Sequence, residues 1–153
     1  FVILGHSENR KNGEDDKLIN SKIKSALAAK LKVIFCIGET LSEKRKKYTQ
    51  SILTKQIKGG LSNIKNKSSI FIAYEPVWAI GTGIVPKSKD LLKTIRFIIS
   101  KFKDKSPKIL YGGSVSPQNI KNLKEINDID GFLIGGASQN ANKFIDIVKK
   151  TYS

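Results

Sequence analysis

Two ionisable side chains, His6 and Glu75, stand where short apolar runs of the sequence end. Glu75 follows the run SIFIAY at 69–74 and precedes an apolar Pro-Val-Trp segment at 76–78, which can shield a carboxylate from water. A shielded carboxylate has a raised pKa and is a better proton acceptor near neutral pH. An ordinary carboxylate in a surface salt bridge is the alternative interpretation of Glu75.

His6 is the only histidine in the chain, and it comes just after the run FVIL at 1–4. A lone histidine is more often structural than catalytic, but this one begins the turn after a strand, where chemistry is expected in parallel α/β proteins. If Ser7 and Glu8 open a short helix, their N–H groups point at the ring. The imidazole would then be neutral and would donate a hydrogen bond to a substrate.

Glycines cluster in three further turns, at 81–83, 112–114 and 135–137. A tight turn explains each cluster taken alone. The second and third clusters, however, end consecutive apolar runs and precede helical segments, so their N–H groups could converge on one dianion such as a phosphate. The sequence therefore predicts a base, a neutral electrophile and a phosphate cradle, with no cysteine nucleophile and no metal cluster.

The elements that must position these residues alternate along the chain. Apolar runs rich in Ile, Val and Phe recur without polar alternation, which is typical of strands buried on both faces of a parallel sheet; they lie at 1–4, 32–37, 69–74, 108–111 and 131–134. Residues repeat at helix spacing between and after these runs: Ile19, Ile23, Ala26 and Leu27; Leu91, Ile95, Ile98, Ile99 and Phe102; Phe144, Ile147 and Val148. The order predicts a single α/β domain over 1–153 with five β/α units, either in a doubly wound sheet or in a (β/α)₈ barrel.

Helix boundaries can be predicted in three places. Ser88 is a candidate cap for the helix that carries Leu91, and Ser116-Pro117 supplies a cap followed by a proline at a first helical position. The segment at 43–58 is rich in Lys, Glu and Gln and predicts a long helix that ends at Gly59-Gly60.

The composition bears on partners and compartment. The net charge is +15, but the lysines are scattered over the predicted helices and only three of the 28 basic residues are arginine. Solvated helix faces are favoured over a nucleic-acid-binding patch. No apolar run reaches the roughly 18 residues of a membrane helix, and the single cysteine, Cys36, fits a reducing compartment. We therefore expect a cytoplasmic protein without nucleic-acid or membrane partners.

The stretches FVILGHSENR, IFCIGET, AYEPVWAIGTG, LYGGSVSPQN and DGFLIGGAS together resemble the triosephosphate isomerase family, in that family's order. The resemblance implies the (β/α)₈ barrel and a cofactor-free interconversion of dihydroxyacetone phosphate and glyceraldehyde 3-phosphate. The implied partners are a small phosphorylated triose and, in the complete enzyme, a second copy of the chain in a homodimer.

The resemblance also implies residue roles. Glu75 would be the base, His6 the neutral electrophile and Glu8 a supporting carboxylate. Backbone N–H groups would hold the phosphate at Gly81, Ser114, Gly135 and Gly136. A lid would run from Pro76 to about Pro86 and include Val77, Trp78, Ala79, Ile80, Thr82 and Gly83. Tyr111 would hydrogen-bond the closed lid, Glu39 would support Trp78, and Cys36 would be a buried structural residue.

The resemblance begins at the fourth strand of the family's barrel, so five of eight β/α units are expected here. The chain starts with Phe1 and contains no methionine, which suggests that its beginning is missing. The family's Asn and catalytic Lys, and the long third loop that reaches the partner subunit, would lie in the missing part. We therefore expect the isolated piece to be poorly stable and weak or inactive. An inactive remnant of a split or decaying gene, and a basic phosphate- or nucleic-acid-binding module, are the alternatives.

Overall fold

A computed structural model describes residues 1–102 and 106–153. Its strands are β1 (Val2–Leu4), β2 (Val33–Ile37), β3 (Ile70–Tyr74), β4 (Lys108–Tyr111) and β5 (Gly131–Phe132). Its α-helices are α1 (Ser7–Lys11), α2 (Asp16–Ala28), α3 (Leu41–Arg45), α4 (Thr49–Gly60), α5 (Ser88–Ile99), α6 (Ile120–Lys124) and α7 (Ala141–Tyr152). Two 3₁₀ turns, Val77–Ala79 and Gly136–Gln139, follow β3 and β5.

The five strands form one parallel sheet in the order β1-β2-β3-β4-β5. All five predicted strands are therefore present, although β5 covers only the first half of the predicted run at 131–134, and the α/β class is confirmed. A doubly wound sheet contains a point where the strand order reverses, whereas this order follows the chain without reversal. The described residues thus form part of a barrel, and the choice that the sequence pattern left open is decided by the topology.

One face of the sheet carries the hydrophobic core. Leu4 pairs with Phe35, Phe35 with Ile72 and Ile72 with Ile109, and this row of side chains is buried. The row belongs to the same core cluster as the buried stripes of α2, α4 and α5. Because successive strand residues point to opposite faces, this row fixes which side chains face the helices.

The opposite face of the sheet is less well covered. Ile3, Ile34 and Phe71 occupy the neighbouring register row; Ile34 and Phe71 are half-buried, and Ile3 is 45% exposed. In a closed barrel this face fills the interior with packed side chains. Within the described ranges, β1 and β5 also pair along one edge only, so the sheet is an open part of a barrel.

The predicted helical stripes are confirmed in part. Ile19, Ile23 and Ala26 of α2 and Leu91, Ile95 and Ile98 of α5 are buried. Leu27 and Ile99 are half-buried, and Phe102 lies beyond the end of α5, which corrects the prediction for these three residues. In α7 the prediction holds for Ile147 alone. Phe144 and Val148 are about two-fifths exposed, which corrects the predicted stripe. This helix lies at the β5 edge, where the open sheet gives it less surface to cover.

The predicted caps differ from the structure. Lys87, not Ser88, is the N-cap of α5, and no side chain caps that end. Likewise Ser116-Pro117 opens only a turn, and α6 begins at Ile120. At this turn the Asn119 side chain accepts a hydrogen bond from the Ser116 N–H. In the predicted cap, the Ser116 side chain would instead accept one from a backbone N–H of the helix.

The predicted helix at 43–58 is two helices, α3 and α4. They are separated at Lys47, which adopts a left-handed φ of 62°. A residue in that conformation cannot continue a right-handed helix. A capping box between Thr40 and Glu43 starts α3 earlier than predicted, and α4 extends through Gly60. None of the described helices combines the length and apolar character that crossing a bilayer requires.

Candidate active site

The candidate site lies at the carboxyl ends of β1, β3 and β4. His6 begins the turn after β1, and Glu75 follows β3 directly. The backbone ladder continues past the strand end, because the Glu75 N–H donates to the Ile37 carbonyl at 2.8 Å and the Gly112 N–H to the Tyr74 carbonyl at 2.9 Å. The ends of these strands thus position the imidazole of His6 and the carboxylate of Glu75.

The Glu75 carboxylate is only 3% exposed. Burial raises its pKa to about 7 from an ordinary 4.5. The Cys36 side chain, the Ser7 backbone N–H and the Arg10 charge lower the pKa in part, while the Glu8 charge raises it. Desolvation of the charged form dominates, so the carboxyl group is poised to gain or lose a proton near neutrality. This agrees with the shielded carboxylate that the sequence predicts.

Two glycines allow this burial. A Cβ at Gly38 would lie 1.8 Å from the Glu75 carbonyl oxygen, and one at Gly112 would lie 2.7 Å from the Glu75 Cγ. Real Cβ atoms do not approach backbone or packed side chains so closely. Glycine is therefore required at both positions if the Glu75 side chain is to keep its place.

The imidazole of His6 faces the carboxylate. Its Nε2 lies 3.6 Å from Glu75 Oε1, and its side chain is 31% exposed. His6 is also the N-cap of α1, because Nδ1 accepts a 3.4 Å hydrogen bond from the Glu8 N–H. With Nδ1 as an acceptor, Nε2 is the ring nitrogen that can donate a hydrogen bond toward the cavity.

The short helix predicted after His6 is present, but its first N–H groups serve two partners. That of Glu8 contacts the ring as expected. That of Ser7 stabilises the Glu75 carboxylate instead. The Glu8 side chain is 81% exposed, its nearer oxygen is 3.9 Å from His6 Nδ1, and it does not line the cavity described next.

A cavity of about 480 Å³ joins these groups to the glycine turns. His6 and Glu75 line it together with all four residues of the predicted cradle, Gly81, Ser114, Gly135 and Gly136. None of these four backbone N–H groups donates to another group within the described part of the chain. Free N–H groups around a concave surface form an anion-binding site.

The segment from Pro76 to Pro86 lines this cavity through Ile80, Gly81 and Gly83 and is hydrogen-bonded to Ser114. The Ser114 Oγ donates to the Ala79 carbonyl at 2.6 Å and accepts from the Gly83 N–H at 3.0 Å. Gly81 and Gly83 adopt φ values of 68° and 76°, which favour glycine. Thus Ser114, expected only as a backbone ligand, also holds this segment through its side chain.

The amino-terminal end of the segment is anchored at Trp78. Its Nε1 donates to Glu39 Oε1 at 3.0 Å, and Tyr74 donates to the same carboxylate at 3.1 Å. The Lys44 ammonium lies 3.3 Å from the centroid of the indole ring. The contact between Glu39 and Trp78 agrees with the arrangement that the resemblance implies, whereas sequence reasoning missed Lys44.

The Tyr111 hydroxyl, which the resemblance implies would bond the closed lid, makes no hydrogen bond to the described residues in this structure. Its side chain is fully buried, and its hydroxyl has no partner within the described residues. The hydroxyl abuts Gly113, where a Cβ would lie only 2.2 Å from it. Pro86, at the carboxyl end of the segment at 76–86, lacks a backbone N–H and therefore cannot donate a hydrogen bond to this hydroxyl.

We expect Tyr111→Phe to leave any catalytic turnover of the complete protein within about threefold of that of the unsubstituted protein. The substitution removes a buried hydroxyl that lacks a partner, so the free energy of unfolding should stay level or rise by about 1 kcal/mol. Steady-state kinetics and urea unfolding measure the two quantities. A loss of turnover above tenfold, with stability unchanged, would mean that this hydroxyl bonds the lid when substrate is present.

Two further residues, Cys36 and Arg10, stabilise the ionised form of Glu75. Cys36 is fully buried, and burial together with the neighbouring Glu75 raises its thiol pKa well above the ordinary value, which disfavours the reactive thiolate. Arg10 donates to the Gly5 carbonyl at 2.8 Å and to Asp16 at 2.7 Å. The sequence gives one weak signal for Arg10, its rarity in a chain rich in lysine.

A larger cavity of about 810 Å³ lies at the amino ends of β3 and β4, beside Ile70 and Lys108. Its described lining contains no histidine, cysteine or carboxylate, so it offers no comparable acid–base pair. No cluster of three or more His, Cys, Asp or Glu side chains suited to a metal ion occurs in residues 1–102 or 106–153.

The fold is that of an α/β protein of the barrel class, and its candidate site places a buried carboxylate and an imidazole beside glycine-rich turns. The sequence profile of the family described as "Triosephosphate isomerase" matches residues 1–151. The chain is 46% identical to a triosephosphate isomerase of Thermodesulfovibrio yellowstonii and 46% identical to one of Dictyoglomus turgidum, over 97% of its own length in each case. It covers 63% and 64% of those two proteins. The chain therefore belongs to the triosephosphate isomerase family and spans less than two thirds of the length of these relatives.

Proposed function

We propose that the protein interconverts dihydroxyacetone phosphate and glyceraldehyde 3-phosphate by proton transfer through an enediolate. One observation supports this most strongly: four backbone N–H groups without a partner among the described residues line the same cavity as a buried carboxylate and an imidazole. A phosphate held in the cradle would leave the adjacent carbons of a triose near the acid–base pair.

In the proposed reaction, the ionised Glu75 removes a proton from the carbon next to the carbonyl group. The Nε2–H of His6 donates a hydrogen bond to the carbonyl oxygen, on which negative charge develops. The proton then returns from Glu75 to the former carbonyl carbon, while the proton of the adjacent hydroxyl group moves to the former carbonyl oxygen, so the product is an isomer with the same atoms as the substrate. A pKa of about 7 suits a group that must both accept and return a proton.

Residues 76–86 would act as the lid of this site. The enediolate intermediate loses phosphate when it is exposed to water, so a cover that excludes solvent protects the reaction. The two hydrogen bonds of Ser114 to this segment and the anchoring of Trp78 by Glu39 support this role.

We further propose that these residues are the fourth to eighth β/α units of a complete barrel, which works as a homodimer in the cytoplasm and needs no cofactor. The half-exposed inner row of Ile3, Ile34 and Phe71 supports the proposal, because closure would bury it. The catalytic lysine expected for the family would come from the remaining units. The 153 residues alone should then show weak or no turnover.

The decisive experiment is a coupled assay of triose phosphate isomerisation on the complete protein and on residues 1–153 alone. Turnover by the complete protein and a loss of at least about 100-fold in the isolated piece are expected, since a missing charge-stabilising group costs about 10²–10³ in rate. If the complete protein is inactive, the alternative of an inactive remnant is upheld and the proposed function is refuted.

The pH dependence tests the assigned base separately. Because Glu75 acts in its ionised form and its pKa is about 7, kcat/KM should fall about tenfold per pH unit below that value and level off above it. The substrate phosphate ionises near pH 6, so the profile needs a correction for the substrate dianion. A profile that is flat from pH 6 to pH 8 after that correction would exclude Glu75 as the titrating base.

A further inference from the structure

Lys143 stands beside the anion cradle without an assigned role. It is the third residue of α7 and is the only lysine or arginine that lines the 480 Å³ cavity within the described residues. Glu75 is the only carboxylate in that lining. The cavity thus has one cation, and it comes from the helix that follows the glycine turn at 135–137.

The location of this lysine is unfavourable for the helix itself. The amino-terminal end of a helix carries partial positive charge, so cations are disfavoured in the first turn. α7 has no acidic residue in its first turn to offset Lys143, and Asn140 caps the helix by accepting the Lys143 backbone N–H at 3.0 Å. Among the ion pairs of the described residues, none involves the Lys143 ammonium.

We propose that Lys143 is a further substrate-binding residue, whose ammonium attracts and orients the dianionic phosphate monoester held by the cradle. The inference rests on the proposed function, because it adds a side-chain charge to a site otherwise made of backbone N–H groups. In this proposal Lys143 takes no part in proton transfer. It sets the affinity for the phosphate and leaves the chemistry at Glu75 and His6 unchanged.

The test measures binding of inorganic phosphate to the complete protein by ³¹P NMR titration at low and high salt. Lys143→Gln is compared with Lys149→Gln, which removes the same charge from the exposed last turn of the same helix. We expect Lys143→Gln to weaken binding about three- to tenfold at 20 mM salt, and less than twofold at 0.5 M salt, because salt screens an exposed charge. Lys149→Gln should change binding by less than 1.5-fold, and Lys143→Arg should restore it.

Kinetics separate this inference from the proposed function. With triose phosphate, Lys143→Gln should raise KM by the factor seen for phosphate and change kcat by less than twofold. Equal effects of Lys143→Gln and Lys149→Gln would overturn the role of Lys143 even if the protein is a fully active isomerase. Phosphate binding that depends on Lys143 in a protein without isomerase activity would uphold the inference and refute the proposed reaction. No phosphate binding by the unsubstituted protein would overturn both.

Discussion

Replacement of Glu75 by glutamine should lower kcat by about 10²- to 10⁴-fold and change KM little. Glutamine keeps the size of the side chain but cannot accept a proton, and loss of a positioned base costs about this much. The residue sits against Gly112 and Gly38, so an isosteric change preserves packing that a larger residue would disturb. Steady-state kinetics on the complete protein measure the effect, with Glu125→Gln, an exposed carboxylate on another turn, as the matched control.

The same substitution should stabilise the fold above neutral pH. Below pH 4.5 the carboxyl group is protonated in the folded and unfolded chains alike, so its burial carries no ionisation penalty. As the pH rises from 4.5 to about 7, the unfolded chain ionises first and stability falls. At pH 8 this penalty amounts to about 3 kcal/mol, and Glu75→Gln removes most of it.

A matched pair of unfolding experiments distinguishes the two effects. Urea unfolding at pH 8 should show Glu75→Gln to be more stable than the unsubstituted protein by about 2 to 3 kcal/mol, and the difference should vanish near pH 4. If the variant loses both turnover and stability at pH 8, the loss of activity reflects disrupted packing and the assignment of Glu75 as the base fails.

The architecture was predictable because it depends on patterns that lie within short segments. Runs such as KVIFCI, which lack polar alternation, are typical of strands that a complete fold buries on both faces. The stripes of α2 and α5 follow from helix periodicity alone. The Phe144 and Val148 prediction failed because their burial depends on neighbours across the β5 edge, which a local pattern does not contain.

The candidate site was predictable in its strand-end residues but not in its contacts. The position of Glu75 after a strand and before Pro-Val-Trp is visible in the sequence. The support from Arg10, the cation over Trp78 from Lys44, and the side-chain role of Ser114 depend on residues far apart in the chain. The burial of the Tyr111 hydroxyl against Gly113, without a partner among the described residues, also depends on a close approach that no residue pattern encodes.

His6 has two functions in the structure, and two amide substitutions should separate them. Nδ1 caps α1 through the Glu8 N–H, and Nε2 points toward Glu75 and the cavity. Asparagine places its amide near the position of Nδ1, whereas glutamine reaches the position of Nε2. Asparagine is among the best N-cap residues, and glutamine is not among the preferred ones.

We therefore expect opposite rankings for activity and stability. His6→Asn should keep the cap and lose kcat by about 10²- to 10³-fold, the cost of removing one donor to the developing oxyanion. His6→Gln should retain part of that donor and lose only about tenfold in kcat, yet it should lower the free energy of unfolding by about 1 kcal/mol because α1 loses its cap. Kinetics and urea unfolding of the complete protein measure both rankings. If both variants lose kcat equally, a neutral donor at Nε2 is not enough, and the imidazole must itself exchange a proton with the substrate.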